Sequence, residues 1–265
     1  IYEGLKIKEA EGKVQVFDAL SVFYEENVRQ QYAAGAEIGK TVEPDVSQKL
    51  LEAARRFTDT AVIVINRFSG EGWDRKGVPG DGDFYLSAQE QAMVEAVKTA
   101  FPRVIAVLDV GGMVDSSWFK DVPAIQSVLL AWQAGIEGGL AIADLLCGDA
   151  NPSGKLVDTF AGSFDDYPSS AHFNDSEDYV EYTEDIYVGY RYFDSFGVKP
   201  LFPFGYGLSY TSFEIRMTGL QVQPGAVEVS ASVKNVGFCF SGREVVQVYL
   251  SCPQKGDARE LRRLA

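Results

Sequence analysis

Up to about Tyr210 the chain alternates short apolar runs with segments whose apolar residues recur at helical spacing, and beyond that point the period drops to two. Strand–helix alternation builds a parallel sheet covered on both faces, whereas a two-residue period builds antiparallel strands with one buried face. In the first part, Lys13–Phe17 reads as a strand. Ser47–Phe57 reads as a helix behind the Pro44-Asp45 start signal, and Ala61–Ile65 as a strand rich in branched residues. Ser87-Ala88-Gln89-Glu90 has the form of a capping box and opens a helix through Ala100, followed by a strand at Arg103–Asp109. A short helix around Met113–Phe119, a strand at Ala124–Trp132 and a helix at Gly138–Cys147, stopped by Gly148 and Pro152, complete the series. Past the switch, Phe213–Val222, Val227–Lys234 and Glu244–Leu250 alternate apolar and polar residues around the turns Gln223-Pro224-Gly225 and Asn235-Val236-Gly237. The expected architecture is an α/β domain over residues 1–209 with a mostly parallel sheet, then a partial antiparallel β-sandwich over residues 210–265. Too few residues follow Tyr210 for a complete sandwich of about 100 residues. The start at Ile1 points to a piece of a longer polypeptide.

A hydrophobic content of 46% is ample for a packed core. The formal charge of -14 argues against nucleic-acid and anionic-membrane partners, both of which need a basic face, and favours neutral substrates. Cys147, Cys239 and Cys252 lack framework spacing, and His172 is the one histidine, so neither a disulfide scaffold nor a metal site is expected. No apolar run has the length of a membrane helix, about 18 residues. Unpaired thiols and the absence of a visible leader place the expected location in the cytoplasm.

Phe68-Ser69-Gly70-Glu71-Gly72-Trp73-Asp74-Arg75 carries the strongest chemical signal. It follows a strand, where an α/β fold places chemistry, and sets one carboxylate between two glycines on a loop that a ligand can approach closely. Glu71 suits proton transfer, and Trp73 offers an apolar wall for a sugar or for desolvating the acid. Asp74 and Arg75 read as a charge pair that holds this loop. The bland alternative is a solvated glutamate in a turn. No cofactor is called for, because the loop lacks both a dinucleotide fingerprint and a P-loop Lys-Ser pair. Trp132 and Gln133 end a buried strand and read as structural, and Asn151–Gly154 as a turn, with no ligand implied for Lys155. The acidic, aromatic stretch Tyr179–Tyr210 reads as a connector whose tyrosines serve domain packing or wall a ligand site.

Four ordered motifs then resemble one family. They are Gly70-Glu71-Gly72-Trp73-Asp74-Arg75, Leu130–Gly139 with Ala141–Asp144, Gly148–Leu156, and Phe202–Tyr210. Together they resemble the C-terminal part of glycoside hydrolase family 3, the β-glucosidase and β-xylosidase group. The resemblance implies a flavodoxin-like α/β sandwich domain, followed by a fibronectin type III-like domain and packed against a TIM-like barrel absent from this chain. It implies a retaining hydrolase of terminal non-reducing β-D-glucosyl residues, in which a barrel aspartate is the nucleophile and a glutamate of the α/β domain is acid and base. Glu71 falls at that motif position, with Glu184 and Glu181 behind it. The implied partners are an oligosaccharide or an aryl or alkyl β-glycoside and the barrel of the same protein, and a homodimer is compatible.

The chain departs from the family pattern in three ways. Asp115-Ser116-Ser117-Trp118 looks like the nucleophile segment but falls on the expected helix, so the role is not carried to Asp115. The first strand and glycine-serine loop of the domain do not appear, and Asp109 stands where relatives often have asparagine. Other readings are a β-xylosidase or α-arabinosidase with the same catalytic pair, and a non-catalytic carbohydrate-binding or dimerisation module. An N-acetylhexosaminidase, whose relatives use a barrel histidine, would leave Glu71 superfluous.

Overall fold

The computed structural model describes residues 1–172, 175–251, 253 and 260–265; Cys252 lies outside the described residues. The chain forms two compact units, Ile1–Cys147 with Gly162–Asp165, and Gly148–Ala161 with Asp166–Ala265.

The first unit holds helices α1 (Tyr2–Ala10), α2 (Asp18–Ala33), α3 (Gln48–Phe57), α4 (Ala88–Ala100) and α5 (Gly138–Cys147). Its strands are β1 (Thr60–Arg67), β2 (Arg103–Val110) and β3 (Ile125–Leu130). The strands form one parallel sheet in the order β1-β2-β3, the flavodoxin-like arrangement expected. Strand β2 is central, and Val104, Ala106, Val107, Leu108 and Val110 are almost completely buried, as a parallel strand covered on both faces requires. Ile63 and Ile65 of β1 join them, with Leu51 and Ala54 of α3, Val94 of α4, and Ile142 and Ala143 of α5. Helix α4 opens with the capping box read from the sequence: Ser87 Oγ accepts from Glu90 N (3.1 Å), and Glu90 Oε2 accepts from Ser87 N (2.8 Å). Helix α1 packs on α5 so closely that a Cβ on Gly4 would lie 2.3 Å from the Gly139 carbonyl oxygen.

Several expected elements differ. Lys13–Phe17 is not a strand but an extended link between α1 and α2. A strand exists only by pairing, and among the described residues β1 pairs with β2 alone and no strand is hydrogen-bonded alongside 13–17. Val14, Val16 and Phe17 instead line an apolar cavity of about 1100 Å³ with Leu20, Phe57 and Val62. The helix expected around Met113–Phe119 is a loop, because the Asp115 carboxylate accepts from Ser117 N (2.8 Å) and Ser117 Oγ (2.9 Å), local bonds that compete with the helical ladder. Asp115 is therefore a buried loop residue, not a helical one. Strand β3 ends at Leu130, short of Trp132, whose φ of 54° is incompatible with a strand.

The second unit contains α6 (Tyr190–Phe196) and an antiparallel hairpin of β4 (Phe213–Gln223) and β5 (Ala226–Asn235), turned by Pro224-Gly225 with Gly225 at φ 76°. Of the expected strand Glu244–Leu250, only β6 (Tyr249–Leu250) forms, pairing with β7 (Arg263–Leu264). Two of the sequence motifs prove to be partners here. Leu156 N donates to Tyr206 O (2.8 Å) and Gly205 N to Leu156 O (2.7 Å), while Lys155 Nζ donates to Gly207 O (2.7 Å) and pairs with Glu244 at 3.0 Å. Asn151 Oδ1 accepts from Tyr210 N (2.8 Å) and Ser209 Oγ (2.9 Å), and its Nδ2 donates to Ser241 O (2.8 Å). Residues 151–154 form no hydrogen-bonded turn, yet Asn151 and Lys155 hold the fold, the structural role read for this motif.

Candidate active site

The loops that leave the carboxyl ends of β1, β2 and β3 meet in the first unit. A Cβ on Gly111, just after β2, would lie 2.2 Å from Ser69 Cβ and 2.8 Å from the Gln133 carboxamide carbon, so glycine there lets the β1 and β3 loops close over the β2 loop. Gln133 Nε2 donates to Ser69 O (3.3 Å), and the left-handed backbone of Trp132 turns the chain toward that contact. In the sheet below, Asn66 Nδ2 donates to Asp109 Oδ2 (3.2 Å) across a paired position of β1 and β2.

Glu71 stands exposed at the outer end of the β1 loop, followed by Gly72 at φ 76°. Trp73 N donates to Gly70 O (3.1 Å), closing a tight turn beneath the glutamate. Trp73 is 47% exposed, and its neighbours are Phe68, which meets its ring edge-on at 5.0 Å, and Lys40, whose Nζ lies 5.7 Å from the ring centroid. An exposed carboxylate near a half-exposed tryptophan on a glycine-rich loop is chemically able to exchange a proton with a ligand oxygen, and the ring offers an apolar surface.

Arg75 does not pair with its neighbour Asp74, which is exposed. Its Nη1 donates to Asp83 Oδ1 (2.7 Å), and Asp83 Oδ2 accepts from Lys76 N (2.8 Å). Residues adjacent in an extended loop point apart, so the partner comes from across the loop. Arg67, at the end of β1, is buried and forms a bidentate pair with Glu90 (2.7 and 2.6 Å), and its Nε donates to the Asp83 carbonyl (2.8 Å). Asp83 and Arg67 were not singled out from the sequence, and Glu90 was read only as part of the capping box. The signal available was a capping-box glutamate 23 residues beyond a strand-ending arginine, which spacing alone does not connect.

Glu184 and Glu181 belong to the second unit. Glu181 is exposed, whereas Glu184 is half-buried at the start of a turn in which Tyr187 N donates to Glu184 O (2.8 Å) and Asp185 has φ 51°. Tyr179, Val180 and Tyr182 beside them are exposed, Tyr182 at 88%. The later aromatics pack: Phe193 is buried, and Tyr190 lies 5.2 Å from Phe204 and 5.7 Å from Tyr249. His172 is exposed and meets Asp175 at 3.1 Å, and among the described residues no cluster of His, Cys, Asp and Glu is gathered as for a metal.

A parallel α/β sheet whose strand-end loops converge on Ser69, within the loop that carries a glycine-flanked glutamate and an exposed tryptophan, defines a flavodoxin-like domain. The family model described as the glycosyl hydrolase family 3 C-terminal domain matches residues 6–210. Beta-glucosidase A of Butyrivibrio fibrisolvens is 44% identical over 294 residues, covering 96% of this chain and 35% of that protein. A beta-glucosidase of Ruminococcus albus is 41% identical over 212 residues, covering 80% of this chain and 22% of that protein. Among solved structures, beta-glucosidase 3B of Thermotoga neapolitana in complex with alpha-D-glucose superposes with a TM-score of 0.85 at 37% identity, covering 100% of this chain and 38% of that one. The chain belongs to glycoside hydrolase family 3, as a C-terminal domain of that family. It spans about a third of the length of the first of these relatives.

Proposed function

We propose that this chain is the acid/base-bearing part of a retaining β-glucosidase that removes terminal non-reducing β-D-glucosyl residues. The observation that carries the reading is the match over 96% of the chain, at 44% identity, to a protein named beta-glucosidase A. In this proposal residues 1–209 form the domain with the acid/base loop, residues 210–265 begin a fibronectin type III-like domain, and a TIM-like barrel in the same polypeptide supplies the aspartate nucleophile. The net charge of -14 accords with a neutral sugar rather than an anionic one.

Glu71 is the proposed acid/base. Retaining chemistry needs its carboxyl about 5 to 5.5 Å from the nucleophile. The nucleophile attacks the anomeric carbon while Glu71 gives its proton to the departing oxygen, leaving a glycosyl ester and a Glu71 carboxylate. That carboxylate then takes a proton from water as the water's oxygen attacks the same carbon, the ester breaks, and the sugar leaves with its original configuration. Trp73 covers the sugar face and excludes water from the acid.

A second assignment has a specific observation behind it. Glu184 precedes a non-glycine residue in the left-handed region and sits among exposed Tyr179, Val180 and Tyr182, and both strained backbone and exposed apolar patches collect at binding sites. The test of the function itself is hydrolysis of nitrophenyl glycosides by the full-length protein, with the first-formed sugar followed by proton NMR. Release of β-glucose ahead of its α anomer is expected; α-glucose first, or no hydrolysis of the β-glucoside, overturns the proposal.

A further inference from the structure

We infer that Asp83 is a positioning residue whose main chain and side chain together clasp both ends of the 68–74 segment, and so set where Glu71 stands; this rests on the Glu71 assignment above. The segment hangs between two arginines, and Asp83 holds each of them. At the near end its carbonyl accepts from Arg67 Nε (2.8 Å), and Arg67 is itself fixed by its bidentate pair with Glu90, whose Oε2 also accepts from Ser87 N at the start of α4. At the far end its carboxylate takes Arg75 Nη1 (2.7 Å) and Lys76 N (2.8 Å), and Phe84 N donates to Lys76 O (3.3 Å) alongside. The carboxyl end of β1, the N-terminus of α4 and the loop carrying the glutamate thereby become one hydrogen-bonded body.

Arg75 shows why the carboxylate matters. Its Nε and Nη2 are buried without a hydrogen-bond partner among the described residues, and they face Gly112, where a Cβ would lie 3.7 and 3.9 Å away. The bond to Asp83 is what compensates a guanidinium otherwise shut away from water, so its loss leaves a buried charge uncompensated. The arginine then turns outward to find solvent and takes Asp74, Trp73 and Glu71 with it. A proton donor moved by even an ångström loses its alignment with the leaving oxygen, whereas a sugar held chiefly elsewhere still binds. The effect falls on kcat for leaving groups that need a proton.

The test is Asp83→Ala in the full-length protein, with Asp83→Asn as the milder variant should the alanine form fail to fold, and Glu71→Gln measured in parallel. Two readouts are taken. Amide hydrogen exchange of 68–74 reports the clasp, and kcat on an alkyl β-glucoside against 2,4-dinitrophenyl β-glucoside reports the proton transfer. Expected are exchange faster by about tenfold or more at 68–74 in the Asp83 variants but not in Glu71→Gln. Alongside it, kcat on the alkyl glucoside should fall about 10- to 100-fold, with KM and the dinitrophenyl rate changed less than about threefold. Unchanged exchange overturns the clasp whatever Glu71 does. Faster exchange with equal losses on both substrates overturns the positioning role. Faster exchange with no leaving-group effect in Glu71→Gln leaves the clasp standing, and the assignment of Glu71 is what fails.

Discussion

Gly111 is where the floor of the candidate site leaves least room, since Ser69 Cβ and the Gln133 carboxamide already occupy the space a side chain would take. Gly111→Ala should cost about 1 to 3 kcal/mol by overpacking, read as a lower denaturation midpoint at unchanged slope; wild-type stability would mean the three loops give way easily. Glu43 supplies a pH signal. Burial is the main cause of its raised pKa, outweighing the hydrogen bond it accepts from Tyr24. A carboxyl with a raised folded-state pKa contributes stability that is fully present below its unfolded pKa and lost as the pH rises through the folded one. Glu43→Gln should therefore match wild type in Tm at acid pH and gain on it as the pH climbs past the ordinary glutamate range, and a difference independent of pH would contradict the assignment. At this scale the sequence offered Glu71 and Trp73 as candidates, because glycines flanking a carboxylate after a strand are local information. It did not disclose Asp83, whose partners Arg67 and Arg75 are found only once the loop has closed.

The elements divide by whether their cause is local. Helix α4 was legible because its capping box and apolar spacing lie within the helix, and Ser87→Ala should cost about 0.5 to 2 kcal/mol in chemical denaturation, with no loss pointing to other groups capping the helix. Helix α2 was not read from the sequence although Leu20, Phe23, Tyr24 and Val28 recur at helical spacing, and these residues are only half-buried. Lys13–Phe17 and most of Glu244–Leu250 carry strand-like patterns without becoming strands, because pairing is supplied by a neighbour and not by the segment. The loop in place of the expected Met113–Phe119 helix follows from the grip of Asp115 on Ser117, which an apolar pattern does not register.

At the scale of the whole molecule, the parallel sheet and the antiparallel hairpin were both foreseeable from the change of hydrophobic period near Tyr210, and four motifs pointed to the family to which the chain belongs. Two of those motifs, around Leu156 and Tyr206, turn out to be hydrogen-bonded to one another, so their joint occurrence reflects folding rather than catalysis. The central claim is that Glu71 is the proton donor and acceptor of a two-carboxylate retaining site. Its most direct test is the leaving-group dependence of kcat/KM for Glu71→Gln in the full-length protein, beside Glu184→Gln. A loss of about 10² to 10⁴ on an alkyl β-glucoside, with little loss on the dinitrophenyl β-glucoside, is expected of Glu71→Gln. Wild-type rates from that variant on both substrates, with the selective loss appearing in Glu184→Gln instead, would contradict the claim and move the acid/base to the second unit.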